Sequence, residues 1–216
     1  MRFIYFYSPT YQFYHEHIQS CLKDHFELEA IQMEDIPESN PNGHQFLGLT
    51  IKLELVLSAI QKYKGETIVF SDATIFINAN KSSELKPYIE QYRDHDLVFI
   101  NEFANGLNIG LLTIQCSDLT LDFFTEVLHL MRTNQYQHDQ VAINKLIESQ
   151  KYPLKYTVYG ERIFLEYFRE NRREDFLIFK SFVNNRGKIS NFNQRIQQFY
   201  NYKLIDQATY DKWLIQ

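Results

Sequence analysis

The fold of this 216-residue chain is decided by the stretch Thr67-Ile68-Val69-Phe70-Ser71-Asp72-Ala73-Thr74-Ile75-Phe76. It begins with β-branched and aromatic residues, which are typical of a strand buried in a parallel sheet. The strand pattern stops at Asp72, so a carboxylate stands at the carboxyl end of the strand. Ligands of open α/β sheets bind beyond that end. The stretch therefore predicts an α/β protein with a ligand site close to Asp72.

Strand and helix patterns alternate on either side of this stretch. Arg2 to Tyr7 predicts a first buried strand, Tyr11 to Lys23 a helix, and Phe26 to Gln32 a second strand. Apolar residues at helical spacing predict another helix from Phe46 to Tyr63. This β-α-β-α-β opening predicts a single domain over residues 1–216, with a mostly parallel, twisted central sheet and helices on both faces.

The later part of the chain continues the alternation. Further helices are predicted at Ser83 to Tyr92, Ser117 to Met131, Asp139 to Ser149, Arg162 to Arg169, Lys188 to Tyr202 and Asp206 to Ile215. Further strands are predicted at Leu97 to Ile100, Gly110 to Ile114, Leu154 to Tyr159 and Phe176 to Val183. Because the carboxyl ends of parallel strands meet at one edge, Ser8, Asp72 and the turn before Gly110 are expected to share a crevice.

Charge is unevenly distributed along the chain, whose net charge is −5. Residues 1–150 contain 10 Lys/Arg and 20 Asp/Glu, whereas residues 151–216 contain 12 Lys/Arg and 7 Asp/Glu. An acidic body disfavours nucleic acid as a partner, since that binding depends on a clustered basic surface. The basic C-terminal part is either a solvated helical face or an element that binds an anion.

Several features predict a cytoplasmic protein. No apolar run approaches the roughly 20 residues that cross a bilayer, so no membrane span is expected. Met1 to Tyr7 lacks the features of a secretory signal peptide. Cys21 and Cys116 form neither a metal-ligand pattern nor a disulfide framework. The many aromatic residues, 15 Tyr and 18 Phe, are expected to fill the core rather than to form a binding face.

Common catalytic motifs are missing from the sequence. It contains no Gly-x-Gly-x-x-Gly, P-loop or Gly-x-Ser-x-Gly motif and no paired cysteines. This lowers the support for a dehydrogenase, an NTPase or a serine hydrolase. His15 and His17 face apart when they are two residues apart on a helix, so they do not predict a zinc site.

Four stretches, taken in order, resemble the nucleotide-diphospho-sugar transferases, a family with a GT-A-type fold. They are Phe6 to Tyr11, Thr50 to Leu57, Val69 to Phe76, and Asn108 to Leu112 together with His138 to Asn144. The similarity spans most of residues 1–150, which would form the nucleotide-sugar-binding core, while residues 151–216 would complete the site. The resemblance implies a glycosyltransferase that moves a hexosyl or pentosyl group from a UDP or GDP sugar to a carbohydrate or related acceptor.

The resemblance also implies roles for individual residues. Nucleotide or donor binding falls to Tyr7, Ser8, Tyr11, Lys52, Ser71, Asp72, Thr74 and Lys188. Asn108 and His138 would contact the sugar or the acceptor, and Asp139 and Gln140 would act as catalytic residues beside the transferred sugar. Four of these residues have a structural alternative. Asp139 suits a helix cap, Asn108 a turn, Lys52 a solvated surface and Asp72 a strand end.

Two metal ligands of the family pattern are missing. Thr74 replaces the second acid of the family's Asp-x-Asp motif, and no histidine occurs in Ile178 to Asn185, where the family often has one. Asp72 alone remains as a weak candidate ligand for Mn²⁺ or Mg²⁺. The same region offers Lys180, Arg186 and Lys188 instead, and some of these cations are expected to take over part of the metal's role at the diphosphate. The alternative is an ordinary exposed Arg-Gly-Lys turn.

A second function stays open at this point. A catalytically silent protein that binds a nucleotide sugar, or that serves as an interaction module, would keep the same fold after losing its metal ligands. Both functions include nucleotide binding, but only the glycosyltransferase turns over a donor. A measurement of donor turnover therefore separates them.

Overall fold

The computed structural model describes residues 1–34, 44–102, 106–165, 175–180, 189–201 and 204–214. The strands are β1 (Arg2–Tyr7), β2 (Glu27–Gln32), β3 (Thr67–Asp72), β4 (Ile75–Ile77), β5 (Leu97–Asn101), β6 (Leu107–Gln115), β7 (Tyr156–Val158), β8 (Ile163–Leu165) and β9 (Ile178–Lys180). The α-helices are α1 (Gln12–Leu22), α2 (His44–Lys62), α3 (Ser82–Glu90), α4 (Asp118–Arg132), α5 (Asp139–Glu148), α6 (Ile189–Asn201) and α7 (Gln207–Trp213). Within these ranges, no helix has the length and apolar character needed to cross a membrane.

The central sheet has six strands in the order β2-β1-β3-β6-β5-β7. β1 is parallel to β2 and β3, and β5 is parallel to β7. β6 is antiparallel to both β3 and β5. Five strands therefore run in one direction, which confirms the predicted mostly parallel sheet, and one reversed strand lies between them.

Helices cover both faces of this sheet, as predicted. One buried core contains side chains of α1, α3, α6 and α7, and the other contains side chains of α2, α4 and α5. β1 shows how the sheet divides them: Phe3 and Tyr5 belong to the first core and Ile4 to the second. Alternate residues of a strand point to opposite faces, so a strand buried on both sides reads as a continuous apolar run.

A second, three-stranded sheet in the order β4-β9-β8 stands beside the first. β9 is antiparallel to β4 and parallel to β8. The prediction of a helix from Arg162 to Arg169 is wrong at its beginning, because Ile163–Leu165 forms β8 and pairs with Ile178–Lys180. Three apolar residues cannot show a period, so pairing with a distant strand decided the conformation. The remainder of that predicted helix lies outside the described residues.

His17 on α1 is buried against this second sheet. Its ring stacks on Phe76 of β4 at a centroid distance of 4.2 Å, and its Nε2 lies 2.9 Å from the carbonyl oxygen of Ile77. Burial lowers the pKa of His17 from 6.5 to about 4, although the hydrogen bond with Ile77 opposes that change. The imidazole is therefore neutral in the folded protein at neutral pH.

The free energy of unfolding is expected to fall as the pH drops from about 6.5 to about 4. In that window the unfolded chain protonates His17 and the folded protein does not, which favours unfolding by up to about 3 kcal/mol. Urea denaturation measured across the window tests this. His17→Gln should flatten the pH dependence, whereas His129→Gln, at an exposed position, should leave it unchanged. An equal pH dependence in the wild type and His17→Gln would contradict the assignment.

Candidate functional site

Strand register brings several predicted residues to one edge of the central sheet. Phe6 of β1 stands opposite Asp72 of β3, and Ser71 of β3 stands opposite Leu111 of β6. Ser8 follows the end of β1, and Asn108 lies near the start of β6, which runs the opposite way. The end of β1, the end of β3 and the start of β6 therefore meet at the same edge, as the sequence predicted.

The centre of this edge is a cluster of four charged side chains. The Lys52 ammonium lies 2.8 Å from Oδ1 of Asp72 and 3.6 Å from Oδ2 of Asp139. The Lys180 ammonium donates to Oδ2 of Asp72. The side chains of Lys52 and Asp139 are only 6% and 1% exposed, whereas those of Lys180 and Asp72 are 11% and 20% exposed. Asp72 and Lys180 thus form the more accessible side of the cluster.

The cluster stays ionised because each charge stabilises its neighbours. Burial alone would raise the pKa of Asp72, but the positive charges of Lys180 and Lys52 hold that pKa well below its usual range. Burial would lower the pKa of Lys52, yet Asp72 and Asp139 raise it above its ordinary value. For Asp139, burial again opposes ionisation, while the positive charge of Lys52 and the neighbouring His138 lower the pKa overall. Two carboxylates and two ammonium groups therefore balance in charge.

Different elements supply the two lysines. Lys52 lies on the buried face of α2, next to Leu53 in the core, so the helix packing directs its side chain under the sheet edge. Lys180 ends β9 of the second sheet and lies over Gly110 of β6. A Cβ atom at Gly110 would stand 2.2 Å from the Lys180 Nζ. The missing side chain at Gly110 is what leaves room for this lysine.

Asp139 begins α5 and is buried almost completely. Its Oδ1 accepts a hydrogen bond from the backbone N–H of Gln140 at 2.7 Å and lies 3.1 Å from Nδ1 of His138. A carboxylate at a helix N-terminus is also favoured by the helix dipole. Asp139 is thus the first residue of α5, whose N-cap is His138, so the prediction of a capping residue is one position off. Asp139 stabilises the first turn and belongs to the charged cluster, and its catalytic role stays a prediction.

A network of amides and a carboxylate borders the charged cluster. Asn108 and Gln140 each donate to Oε2 of Glu102, at 2.8 and 2.6 Å. The Asn108 amide nitrogen also lies 3.3 Å from Oε1 of Gln140, and its Oδ1 accepts from the backbone N–H of Gly110 at 2.8 Å. The network links β5, β6 and α5, and it places hydrogen-bonding groups that suit sugar hydroxyls. Glu102 was not predicted as a site residue.

Asn144, in the second turn of α5, holds the start of β6 in place. Its Oδ1 accepts from the Leu107 N–H at 2.9 Å, and its Nδ2 donates to the Leu107 carbonyl at 3.1 Å. Gly106 precedes this contact with φ of +83°, and a Cβ there would lie 2.3 Å from the Asn144 Oδ1. The close approach requires glycine. Asn144 thus aligns β6 with α5, and with them the amide network.

The residues predicted for the nucleotide base lie at the end of β1. Tyr7 is largely buried and stacks on His15, with ring centroids 4.2 Å apart. The Ser8 carbonyl accepts from the Tyr11 N–H at 2.8 Å, closing the short 3-10 turn Pro9–Tyr11 before α1. Ser8 and Tyr11 are half-buried at this turn. Their roles in binding a nucleotide stay a prediction.

Ser71 and Thr74 flank Asp72. Ser71 is fully buried, and its hydroxyl donates to the carbonyl oxygen of Gly110 at 3.2 Å and lies 2.8 Å from that of Asp72. It fastens β3 to β6, so its contribution to donor binding would be indirect. Thr74 is half-buried in the turn between β3 and β4. Lys188 and Arg186 lie outside the described residues.

The charged cluster does not fit the Mn²⁺ or Mg²⁺ that the resemblance implies. These ions prefer several carboxylate oxygens free to coordinate them. Both oxygens of Asp72 already accept from ammonium groups, and Asp139 faces Lys52. Among the described residues, no group of three or more His, Cys, Asp or Glu side chains is placed to hold a metal ion.

Comparison with known proteins places this geometry in a structural class. No protein-family model and no curated protein matches the sequence. Solved structures that share the fold include glycosyltransferases. One is involved in the glycosylation of the major capsid of PBCV-1; it is 11% identical, covers 94% of this chain and 98% of its own, and has a TM-score of 0.67.

Two further structures agree. The glycosyltransferase GlyE of Streptococcus pneumoniae TIGR4 is 14% identical with a TM-score of 0.59, covering 98% of this chain, which spans 62% of GlyE. The galactosyltransferase LgtC, solved with donor and acceptor sugar analogs, is 10% identical with a TM-score of 0.55, covering 100% of this chain and 97% of its own. At such identities the likeness establishes the fold. The chain therefore has the fold of the GT-A-type nucleotide-sugar transferases, as the resemblance implied.

Proposed function

We propose that this protein is a glycosyltransferase that moves a sugar from a nucleotide-diphosphate sugar to a carbohydrate or related acceptor. The observation that carries the proposal is the convergence of Lys52, Asp72, Asp139 and Lys180 at one edge of a GT-A-type sheet. These four side chains come from α2, β3, α5 and β9. Ligands of such sheets bind at that edge. Removing charges from water is costly, so packing alone does not account for a buried charged cluster there.

Different residues at this edge of the sheet would bind different parts of the donor. The half-buried turn at Ser8 and Tyr11, with Tyr7 beneath it, would receive the nucleotide base. Asp72 would accept hydrogen bonds from the ribose, and the ammonium groups would stabilise the negative charge that grows on the diphosphate as the glycosidic bond breaks. Ser71 and Thr74 would support this part of the site, and Lys188 would add to the donor contacts.

The sugar would lie beside the amide network. Asn108 and Gln140 offer amide groups that suit its hydroxyls. His138, whose side chain is 37% exposed and lies against Asp139, would contact the sugar or the acceptor. Asp139 would hold Lys52 and His138 in position rather than contact the acceptor, because its own side chain is 1% exposed. A glycan acceptor would approach from the more accessible side of the charged cluster, which Asp72 and Lys180 form.

Donor turnover tests the proposal. The purified protein is incubated with a panel of UDP and GDP sugars, with and without an oligosaccharide mixture, and released nucleoside diphosphate is measured. Acceptor-dependent release from at least one donor supports transfer. Binding of a nucleotide without release from any donor, under the same conditions, would favour the catalytically silent alternative.

A further inference from the structure

We infer that the donor's diphosphate is bound by the Lys180 ammonium, in the place beside Asp72 where a divalent cation would otherwise stand, so that nucleotide binding needs no divalent metal. This inference rests on the proposed function, because it describes how the same site recognises its nucleotide. It adds that the diphosphate is bound by one particular side chain, that of Lys180 at the end of β9.

Both carboxylate oxygens of Asp72 are already occupied. Each carboxylate oxygen already has a cationic partner, Lys52 on Oδ1 and Lys180 on Oδ2. A divalent ion ligated here would have to displace an ammonium group or stand beside two positive charges. Both alternatives are unfavourable, because the displaced or facing charge is largely removed from water.

The two lysines differ in their surroundings. Lys52 lies between Asp72 and Asp139, at 2.8 and 3.6 Å, so two carboxylates share its charge. Lys180 pairs with Asp72 from the more accessible side, with 11% of its side chain exposed. An ammonium group has three donors, so Lys180 can keep its bond to Asp72 and still donate to a phosphate oxygen. Lys180 is therefore the cation that a diphosphate meets.

The Lys180 side chain lies over the backbone of β6 at Gly110. The carbon Cδ and the nitrogen Nζ of Lys180 would lie 2.7 and 2.2 Å from a Cβ atom at Gly110. Its ammonium is therefore held at the sheet edge, close to the Asn108 amide that the proposed function assigns to the sugar. A diphosphate on Lys180 would place the attached sugar beside Asn108 and Gln140.

Calorimetric titration tests the inference with UDP and GDP as probes, each in excess EDTA and in excess MnCl₂. The wild type is expected to bind one of them with a Kd that differs by less than about threefold between the two buffers. Lys180→Met is expected to weaken that Kd by about tenfold or more in EDTA, since a charge-assisted bond to phosphate is lost. Lys62→Met is the matched control, because Lys62 is an exposed lysine that pairs with Glu29 at 2.8 Å.

Gly110→Ala provides a second variant that keeps every charge. Its methyl group would push the Lys180 ammonium away, so it should also weaken nucleotide binding, and circular dichroism checks that both variants fold. Nucleotide binding that requires Mn²⁺, or that survives Lys180→Met unchanged, would overturn the inference and leave the proposed function standing. Absence of UDP and GDP binding in both buffers would instead contradict the proposed function, and the inference with it.

Discussion

Replacing Asp72 with alanine is expected to abolish nucleotide binding and to lower the free energy of unfolding by about 3–5 kcal/mol. The carboxylate is the common partner of Lys52 and Lys180, so its removal leaves two ammonium groups close together and largely buried. Binding is lost as well, because the cations that face the diphosphate are no longer held in place. Denaturant unfolding and calorimetric titration with UDP and GDP measure the two effects separately.

Asp94→Ala is the matched control for this experiment. Asp94 also pairs with a lysine, Lys155 at 2.6 Å, but both side chains are mostly exposed. Exposed ion pairs contribute little to stability, so the control should stay near wild-type stability. Asp72→Asn, which keeps the shape of the side chain, separates the loss of charge from the loss of volume. Normal nucleotide binding by a folded Asp72 variant would show that the site is elsewhere.

Asp139→Asn is expected to lower donor turnover by about 100-fold or more while changing the nucleotide Kd by less than about threefold. The substitution keeps an oxygen for the Gln140 N–H but removes the charge that orients Lys52 and His138. Lys52 retains Asp72 as a partner, so the donor still binds. Stopped assays of kcat together with titration of the nucleotide test the separation of the two effects.

Asp122→Asn, on the exposed side of α4, controls for the change of an aspartate as such. A purely structural role for Asp139 would lower stability without changing the kcat of the folded protein. The pH profile of kcat gives a further readout, because a residue that orients His138 should alter that profile. Unchanged turnover in Asp139→Asn, or equal loss of binding and turnover, would contradict the role proposed for it.

The sequence predicted those parts of the fold and site that depend on local patterns. The end of β3 at Asp72 follows from a β-branched run that stops at an acid, and α2 follows from apolar residues at helical spacing. Ser8 and Asp72 share an edge because the parallel strands β1 and β3 both end there. The start of β6 lies at the same edge because β6 runs antiparallel to β3.

Features that depend on distant pairing could not be predicted in the same way. Lys180 and Asp72 are 108 residues apart in sequence, and the lysine reaches the aspartate only because β9 pairs with β4. The sequence indicates Lys180 as one cation of a basic region, yet no local pattern identifies its partner. β8 was mistaken for a helix for the same reason: a three-residue strand carries no period.

Glu102 is a residue of the site edge that the sequence did not predict. It directly follows β5 and accepts from both Asn108 and Gln140. A polar residue after a strand end is a general signal for the site edge, but nothing in its neighbours in sequence distinguishes it from a surface glutamate. The contact exists because β6 returns antiparallel to β5 and brings Asn108 back to the same edge.

A crystal structure of the protein with bound UDP or GDP tests most directly the claim that Asp72 marks the donor site. We expect a ribose hydroxyl within about 2.6–3.2 Å of an Asp72 oxygen and a diphosphate oxygen within about 2.7–3.2 Å of the Lys180 Nζ. The base should lie at the turn formed by Ser8 and Tyr11. A nucleotide bound away from this edge, with Asp72 and Lys180 making no contact to it, would contradict the claim.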